Sequence, residues 1–366
     1  MNSKIILGDC LDVMKEMAEN SIDFIVTDPP YGLNFMGKDW DKSIPNQEIW
    51  AEALRICKPG SMLAAFGGSR THHHLMIALE KSGWEIRDVI MWLYGSGFPK
   101  SHNKFGLEGY GTALKPAYEP IILAMKPLDG TFAQNAEKWG LAGINIQECR
   151  IETSELKPYS PGLHKDSPST YNDDSWIGKD QIKLAPSGRW PANLILDEEA
   201  AEMLDEQSGI SKSNSGGITF RKEETKQLKG LGKTERTGHN DCGGASRFFY
   251  CAKSSSKERN AGLEGMPLKE SRPLGISNWE GQTNGSGQVM GKSNPQSNFH
   301  PTVKPISLMK YILKLLASPG NPICLDPFAG SGSTLLAAQE LGINCIGIEK
   351  MPEYHEIAQK RISNAA

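Results

Sequence analysis

Regular alternation of strand-like and helix-like segments is confined to the two ends of this chain, and neither end can make a complete domain alone. At the N-terminal end KIILGDC leads into the amphipathic LDVMKEMAEN and then into SIDFIVTD, an apolar run stopped by Asp28, Pro29 and Pro30. Further strands are predicted at 61–68, 86–97 and 119–127, with helical patterns at 49–57 before the first and at 73–83 before the second. The pattern resumes only after His300, with a helix over 306–318, a strand over 322–328, a glycine-rich turn over 329–334, a helix over 335–342, a strand over 344–350 and a closing helix, PEYHEIAQKRIS. Each end has too few strands to cover both faces of a sheet. The two must therefore share one mostly parallel, doubly wound α/β sheet, with helices on both faces.

Between them, residues 128–298 are dominated by Gly, Ser, Asn, Lys and Pro, which predicts a loop-rich insertion forming a separate, partly flexible lobe. Two apolar islands inside it, GRWPANLILD (188–197) and ASRFFYCAK (245–253), read as strands returning to the folded body. The organisation expected is 1–127 and 299–366 as the halves of one domain and 128–298 as an insertion. No apolar run approaches the roughly 18 residues of a membrane span, and the first residues lack a secretory signal, so a cytoplasmic protein with no membrane partner is expected. The seven cysteines never occur as C-x-x-C, and His239 near Cys242 is too slight a pattern for a metal site, so no metal is expected. A net charge of −3 announces no polyanionic partner, although it says nothing of a local basic face.

Two constellations carry chemistry. LDPFAGSGST (325–334) runs from a strand into a glycine-rich turn and a helix, and the next strand ends in Glu349. Glycines at a strand's carboxyl end let a ligand approach the backbone, and an acid at the end of the following strand suits ribose hydroxyls. The turn is neither a Walker A loop nor G-x-G-x-x-G, which favours a mononucleoside over a dinucleotide. TDPPYG (27–32) ends an apolar strand. Its prolines fix the chain and remove donors, leaving the Asp28 carboxylate and the Pro29 carbonyl as acceptors beside the ring of Tyr31. Such a site fits a planar group bearing an NH2, as on the edge of adenine or cytosine.

DPPY together with FAGSG resembles the SAM-dependent DNA amino-methyltransferases, and their order around a long insertion is similar to the β class of N6-adenine and N4-cytosine enzymes. The resemblance covers both α/β ends. It implies a Rossmann-like SAM-methyltransferase sheet, base flipping and direct in-line transfer, with S-adenosyl-L-methionine (SAM) as cofactor and double-stranded DNA as substrate. By position it makes Asp28, Pro29, Pro30 and Tyr31 the catalytic segment. It places Asp9 and the Cys10 backbone beside the SAM adenine, and Thr302 and Lys304 of HPTVKP at the methionine end. Asp326, Phe328, Ala329, Gly330, Ser331, Gly332 and Ser333 become the SAM loop, and Glu349 the ribose ligand. The family's use of Asp before PPY mostly for adenine favours N6. A homodimer and a cognate restriction enzyme are the further partners that the resemblance brings.

Lys115 and Glu119 of ALKPAYEP are candidates to shape the target-base pocket, and a strand-start salt bridge serves them equally well. The loop 92–104 has the aromatic and basic composition expected beside nucleic acid. Arg221, Lys222, Lys226, Lys229, Lys233 and Arg236 are candidate phosphate contacts. N4-cytosine methylation, methylation of RNA or protein, and a DNA-binding protein without catalysis stay open as alternatives.

Overall fold

The computed structural model describes residues 3–33, 41–95, 97, 106–152, 188–212, 217–219, 234–236, 241–252, 260–263, 298, 300 and 302–364. The opening βαβ unit comprises β1 (Lys4–Leu7), α1 (Cys10–Lys15) and β2 (Ile22–Thr27). It is followed by α2 (Gln47–Ile56), β3 (Cys57–Phe66), α3 (His72–Lys81), β4 (Glu85–Leu93), β5 (Tyr118–Met125) and α4 (Phe132–Trp139). The apolar islands supply β6 (Leu194–Asp197), which leads into α5 (Glu198–Ser208), and β7 (Tyr250–Ala252). The C-terminal end contributes α6 (Ile306–Leu316), β8 (Ile323–Asp326), α7 (Ser333–Glu340), β9 (Asn344–Glu349) and α8 (Pro352–Asn364).

These strands form one nine-stranded sheet in the order β1-β9-β8-β2-β3-β5-β4-β6-β7, so both ends of the chain interleave as expected. Every pairing is parallel except the two made by β5, which runs antiparallel to β3 and β4. Side chains on the central strands alternate between two cores, as the strand period of two dictates. Phe24, Val26, Ala64, Phe66, Ile121 and Leu123 face α6 and α7. Ile25, Leu63, Ala65, Ile122 and Ala124 pack with Trp50, Leu75 and Leu79 of α2 and α3 on the other side. Leu308, Ile312 and Leu313 of α6 are completely buried, and burying each such side chain contributes about 1.5–3 kcal/mol.

The insertion expected over 128–298 is joined to this body at several points. α4 packs on β3 through Asn135, whose side chain donates to the Pro59 and Leu141 carbonyls at 3.0 and 2.7 Å. Asn145 N donates to Leu315 O at 2.7 Å, and Cys149 is buried against α6. β6 and β7 extend the sheet. Arg221, Lys222, Lys226, Lys229, Lys233 and His239 lie outside the described residues, as do 96 and 98–104 of the aromatic loop, while Arg236 stands in a short strand pair with 217–219. No described helix is long and apolar enough to cross a membrane.

What positions the site is the common direction of β1, β2, β8 and β9. Their carboxyl ends lie along one edge of the sheet, and Asp9, Asp28, Asp326 and Glu349 stand at or just past those ends. That edge is where a doubly wound sheet binds ligands.

Candidate active site

A cavity of about 560 Å³ opens along this edge. Asp9, Cys10, Asp28, Pro29, Pro30, Tyr31, Thr302, Lys304, Asp326, Phe328, Ala329, Gly330, Ser331, Ser333 and Glu349 all line it. Among the residues singled out in the sequence, Gly332 stands behind the lining. Its φ of +79° caps the start of α7, and a Cβ there would meet the Ala358 Cβ at 2.9 Å. Gly332 therefore lets the turn pack against α8. Gly330, with φ +53°, leaves room for the His300 ring, which a Cβ would approach to 2.8 Å.

The glycine-rich turn is held from outside by groups that sequence reading missed. Arg361, only 1% exposed, donates to the Ser331 carbonyl at 2.7 Å. Buried Asn298 donates to Ser331 Oγ at 3.3 Å. On the ligand side, Glu349 accepts the Gly330 amide on one carboxylate oxygen at 2.9 Å and the Met351 amide on the other at 2.7 Å. Burial pushes its carboxyl up to about 7, against the pull of those two amides. Each oxygen keeps a lone pair for a further donor.

Asp9 caps α1 through the Leu11 amide at 3.0 Å and pairs with Lys350 at 3.0 Å. Partial burial pushes its carboxyl up, but the Lys350 ammonium and the Leu11 amide outweigh that and hold it below the usual range. Asp326 faces inward: it accepts Thr27 Oγ1 at 2.7 Å, the Phe328 amide at 3.1 Å and the Thr334 hydroxyl. Burial lifts it to about 6, the three donors opposing. Because Thr27 immediately precedes Asp28, the Thr27–Asp326 bond fixes the spacing between the two motifs.

The DPPY turn has its own unexpected anchor. The buried Asp41 carboxylate accepts the amides of Tyr31, Gly32 and Leu33 at 2.7, 3.0 and 3.2 Å, a nest of backbone donors closed on one anion. Nothing in KDWDKS distinguishes this aspartate from a solvated one.

Beyond the turn, four ionisable side chains meet. The Tyr31 hydroxyl lies 2.8 Å from Asp28 Oδ1 and 2.9 Å from Glu119 Oε2. Lys304 Nζ lies 2.7 Å from Asp28 Oδ2, 3.1 Å from the Tyr31 oxygen and 3.2 Å from Glu119 Oε2. Its three N–H donors are thereby occupied. The ammonium, read from sequence as a methionine-end contact, is thus placed at Asp28. Burial pushes the Asp28 carboxyl up, with Lys304 opposing and Glu119 reinforcing the shift. Lys304 is destabilised as a cation by burial, but Asp28 and Glu119 more than offset that and keep it charged. Tyr31 is driven upward by burial and by both carboxylates, so it stays a phenol. Glu119, at the start of β5, lines the cavity and makes its ion pair there with Lys304, whereas Lys115 is exposed and donates to the Gly95 carbonyl at 2.7 Å.

The cavity thus has both the acid-and-glycine turn and the carboxylate-bearing DPPY turn in its lining. The N6/N4 methyltransferase family model, described as DNA methylase, matches residues 22–360. The chain belongs to the N6/N4 DNA methylase family. Putative methylase YubD of Escherichia coli K12 is 41% identical over 75 residues, 20% of this chain and 33% of that protein. Type II methyltransferase M.HpaI of Haemophilus parainfluenzae is 30% identical over 137 residues, 34% of this chain and 40% of that protein. The chain therefore matches at most two fifths of the length of these two relatives. The crystal structure of an M1.HpyAVI–SAM complex superposes with a TM-score of 0.43 at 19% identity, covering 98% of this chain and 99% of that one. The fold of this chain is defined by its own sheet order.

Proposed function

We propose that this methylase transfers a methyl group from SAM to the N6 amine of adenine in duplex DNA. The observation that carries the reading is the Asp28 carboxylate, fixed at the end of β2 and opening on the same cavity as Gly330 and Glu349. The cradle fits SAM. Gly330 makes the turn at positive φ with the His300 ring against it, and Glu349 offers a paired acceptor for two ribose hydroxyls. Asp9 and Cys10 would hold the adenine end, and Thr302, Ala329, Ser331 and Ser333, which line the same cavity, would hold the methionine end. Bound there, SAM supplies an electrophilic methyl group on a positive sulfur.

The chain's own task is positioning and charge stabilisation. Asp28 and the Pro29 carbonyl accept the two amine hydrogens, which draws the nitrogen lone pair out of the ring. Their reach requires a base flipped from the stack, and the Tyr31 ring offers it a face. Asp28, rather than the serine that the family uses mostly for cytosine, supports adenine.

Labelled SAM and duplex DNA test the reading, with products digested to nucleosides and identified by mass. N6-methyladenine is the expected product. N4-methylcytosine would transfer the assignment to the smaller base, and an unlabelled duplex with SAM bound would end the DNA reading.

The Glu349 role carries a pH dependence. Ribose hydroxyls donate to an ionised carboxylate, and this carboxyl titrates at about 7. SAM affinity should rise roughly tenfold per pH unit below neutrality and level off above it, one unit being about 1.4 kcal/mol. Calorimetric titration from about pH 5.5 to 8.5 checks this. Glu349→Gln should bind more weakly and without the slope; an equally steep slope in that variant removes Glu349 from ribose binding.

A further inference from the structure

Once an amine nitrogen has bonded to a methyl group it carries one proton too many, and that proton needs a way out. Asp28 is the first acceptor, yet its side chain is only 20% exposed, and an amine docked on it leaves solvent a narrow path that becomes effective only as hydroxide rises with pH. Behind it, the Tyr31 hydroxyl bridges to a second carboxylate, at 2.8 Å from Asp28 and 2.9 Å from Glu119. A phenol has a single hydrogen, so at any moment it donates to one carboxylate and turns only its oxygen to the other. Lys304 holds all three oxygens through its three donors.

We propose that Asp28, Tyr31 and Glu119 form a proton relay, in which Tyr31 passes the proton taken up by Asp28 on to Glu119 while Lys304 holds the three in register. The proposal rests on the amine-methylation reading above. The nitrogen lone pair makes the new N–C bond as the C–S bond breaks toward sulfur, which moves the positive charge to nitrogen. As that charge builds, an N–H bond breaks, its electron pair returns to nitrogen and Asp28 takes up the proton, in step with the transfers behind it, so that a block at Glu119 slows the methyl transfer itself. Tyr31 releases its hydrogen to Glu119 and receives the Asp28 proton on the same oxygen. Asp28 is again a carboxylate, Tyr31 again a phenol, and Glu119 holds the proton; nothing is oxidised or reduced. Glu119, at the start of β5 with 25% of its side chain exposed, returns it to solvent. Among the described residues Tyr94, just past β4, also feels this carboxylate: burial and then Glu119 push its phenol up to about 12, with Lys304 opposing. Glu119 is accordingly a positioning and relay residue, acting through Tyr31.

The test is single-turnover transfer by the full chain preloaded with SAM and duplex DNA, followed from about pH 6 to 9. Glu119→Gln keeps the shape and the hydrogen-bond acceptor but takes up no proton. It should slow transfer about 10²-fold at the acid end. The deficit should close as pH rises, because solvent then deprotonates Asp28 directly, and the Kd for SAM should stay within about threefold of wild type. Tyr31→Phe should show the same pH-dependent deficit, and added formate or imidazole should restore part of the rate of Glu119→Ala. Wild-type rates in Glu119→Gln at every pH overturn the relay. So does a deficit that is constant with pH and unmoved by added base, which is what a purely structural role would give. A wild-type chain that binds SAM but labels no DNA overturns the methylation reading and the relay with it, whereas labelling by wild type with indifferent variants overturns the relay alone.

Discussion

Replacing Asp28 by alanine is expected to lower methyl transfer by at least about 10³-fold while leaving the Kd for SAM within about threefold. The asymmetry follows from where the carboxylate sits. Asp28 makes its contacts with Tyr31 and Lys304, and the cofactor cradle is held by a different set: Glu349, Arg361 and Asn298 around the glycine turn. Thr27, which joins the two motifs, bonds Asp326 through its own hydroxyl and is untouched by the substitution. The fold should survive, because Lys304 keeps Glu119 as a counter-ion at 3.2 Å. The cost in stability should be about 1–3 kcal/mol, the range for leaving one partner of a charged hydrogen bond unmatched. Rapid-quench transfer assays beside equilibrium SAM binding separate the two quantities. Transfer within tenfold of wild type would take Asp28 out of the chemistry; lost SAM binding would mean that the two ends of the cavity are not independent.

The strand ends that line the cavity are easier to read in the sequence than the groups that hold them. Strand ends at Asp9, Asp28, Asp326 and Glu349 are legible because apolar runs broken by acids, glycines or prolines mark the carboxyl ends of buried strands, and a shared parallel direction puts them on one edge. Strands β6 and β7 are legible as apolar islands in a polar stretch. The antiparallel course of β5 is not, since EPIILAMKP has the same apolar pattern whichever way it runs. Arg361 follows Lys360 in what reads as a solvated helix end. Yet Tyr354, Ile357, Ala358 and Arg361 recur at the helical period and share the buried face, whereas Lys360 pairs with Glu356 at the surface. That period was the available signal. Asp41 offered none, because a nest of amides is a property of backbone conformation rather than of residue type.

Lys304 is the residue on which sequence and structure pull apart most, and its replacement by methionine separates the two placements. A lysine that pairs with the methionine carboxylate would, when lost, weaken SAM binding by tenfold or more. A lysine placed as observed would leave SAM affinity within about threefold and fail in transfer instead. Without its ammonium, Asp28 and Glu119 face one phenol with no cation between them. A like charge so close, with no cation to offset it, favours the neutral form of Asp28. Asp28, already pushed upward by burial, would then spend much of its time protonated at neutral pH, unable to accept from the target amine. Transfer should fall about 10²- to 10³-fold near pH 7 and recover as the pH is raised, with the midpoint of the profile displaced upward from wild type. Removing one partner of a fully buried pair costs about 3–5 kcal/mol. Here the carboxylates are 20% and 25% exposed, and solvent and the protonation of Asp28 should reduce the loss to about 1–3 kcal/mol, readable as a lower Tm that partly recovers toward acid pH. Arginine should not rescue transfer, because its planar fork does not reproduce three bonds converging on a single nitrogen. Lost SAM affinity with an unchanged pH profile would return Lys304 to the cofactor.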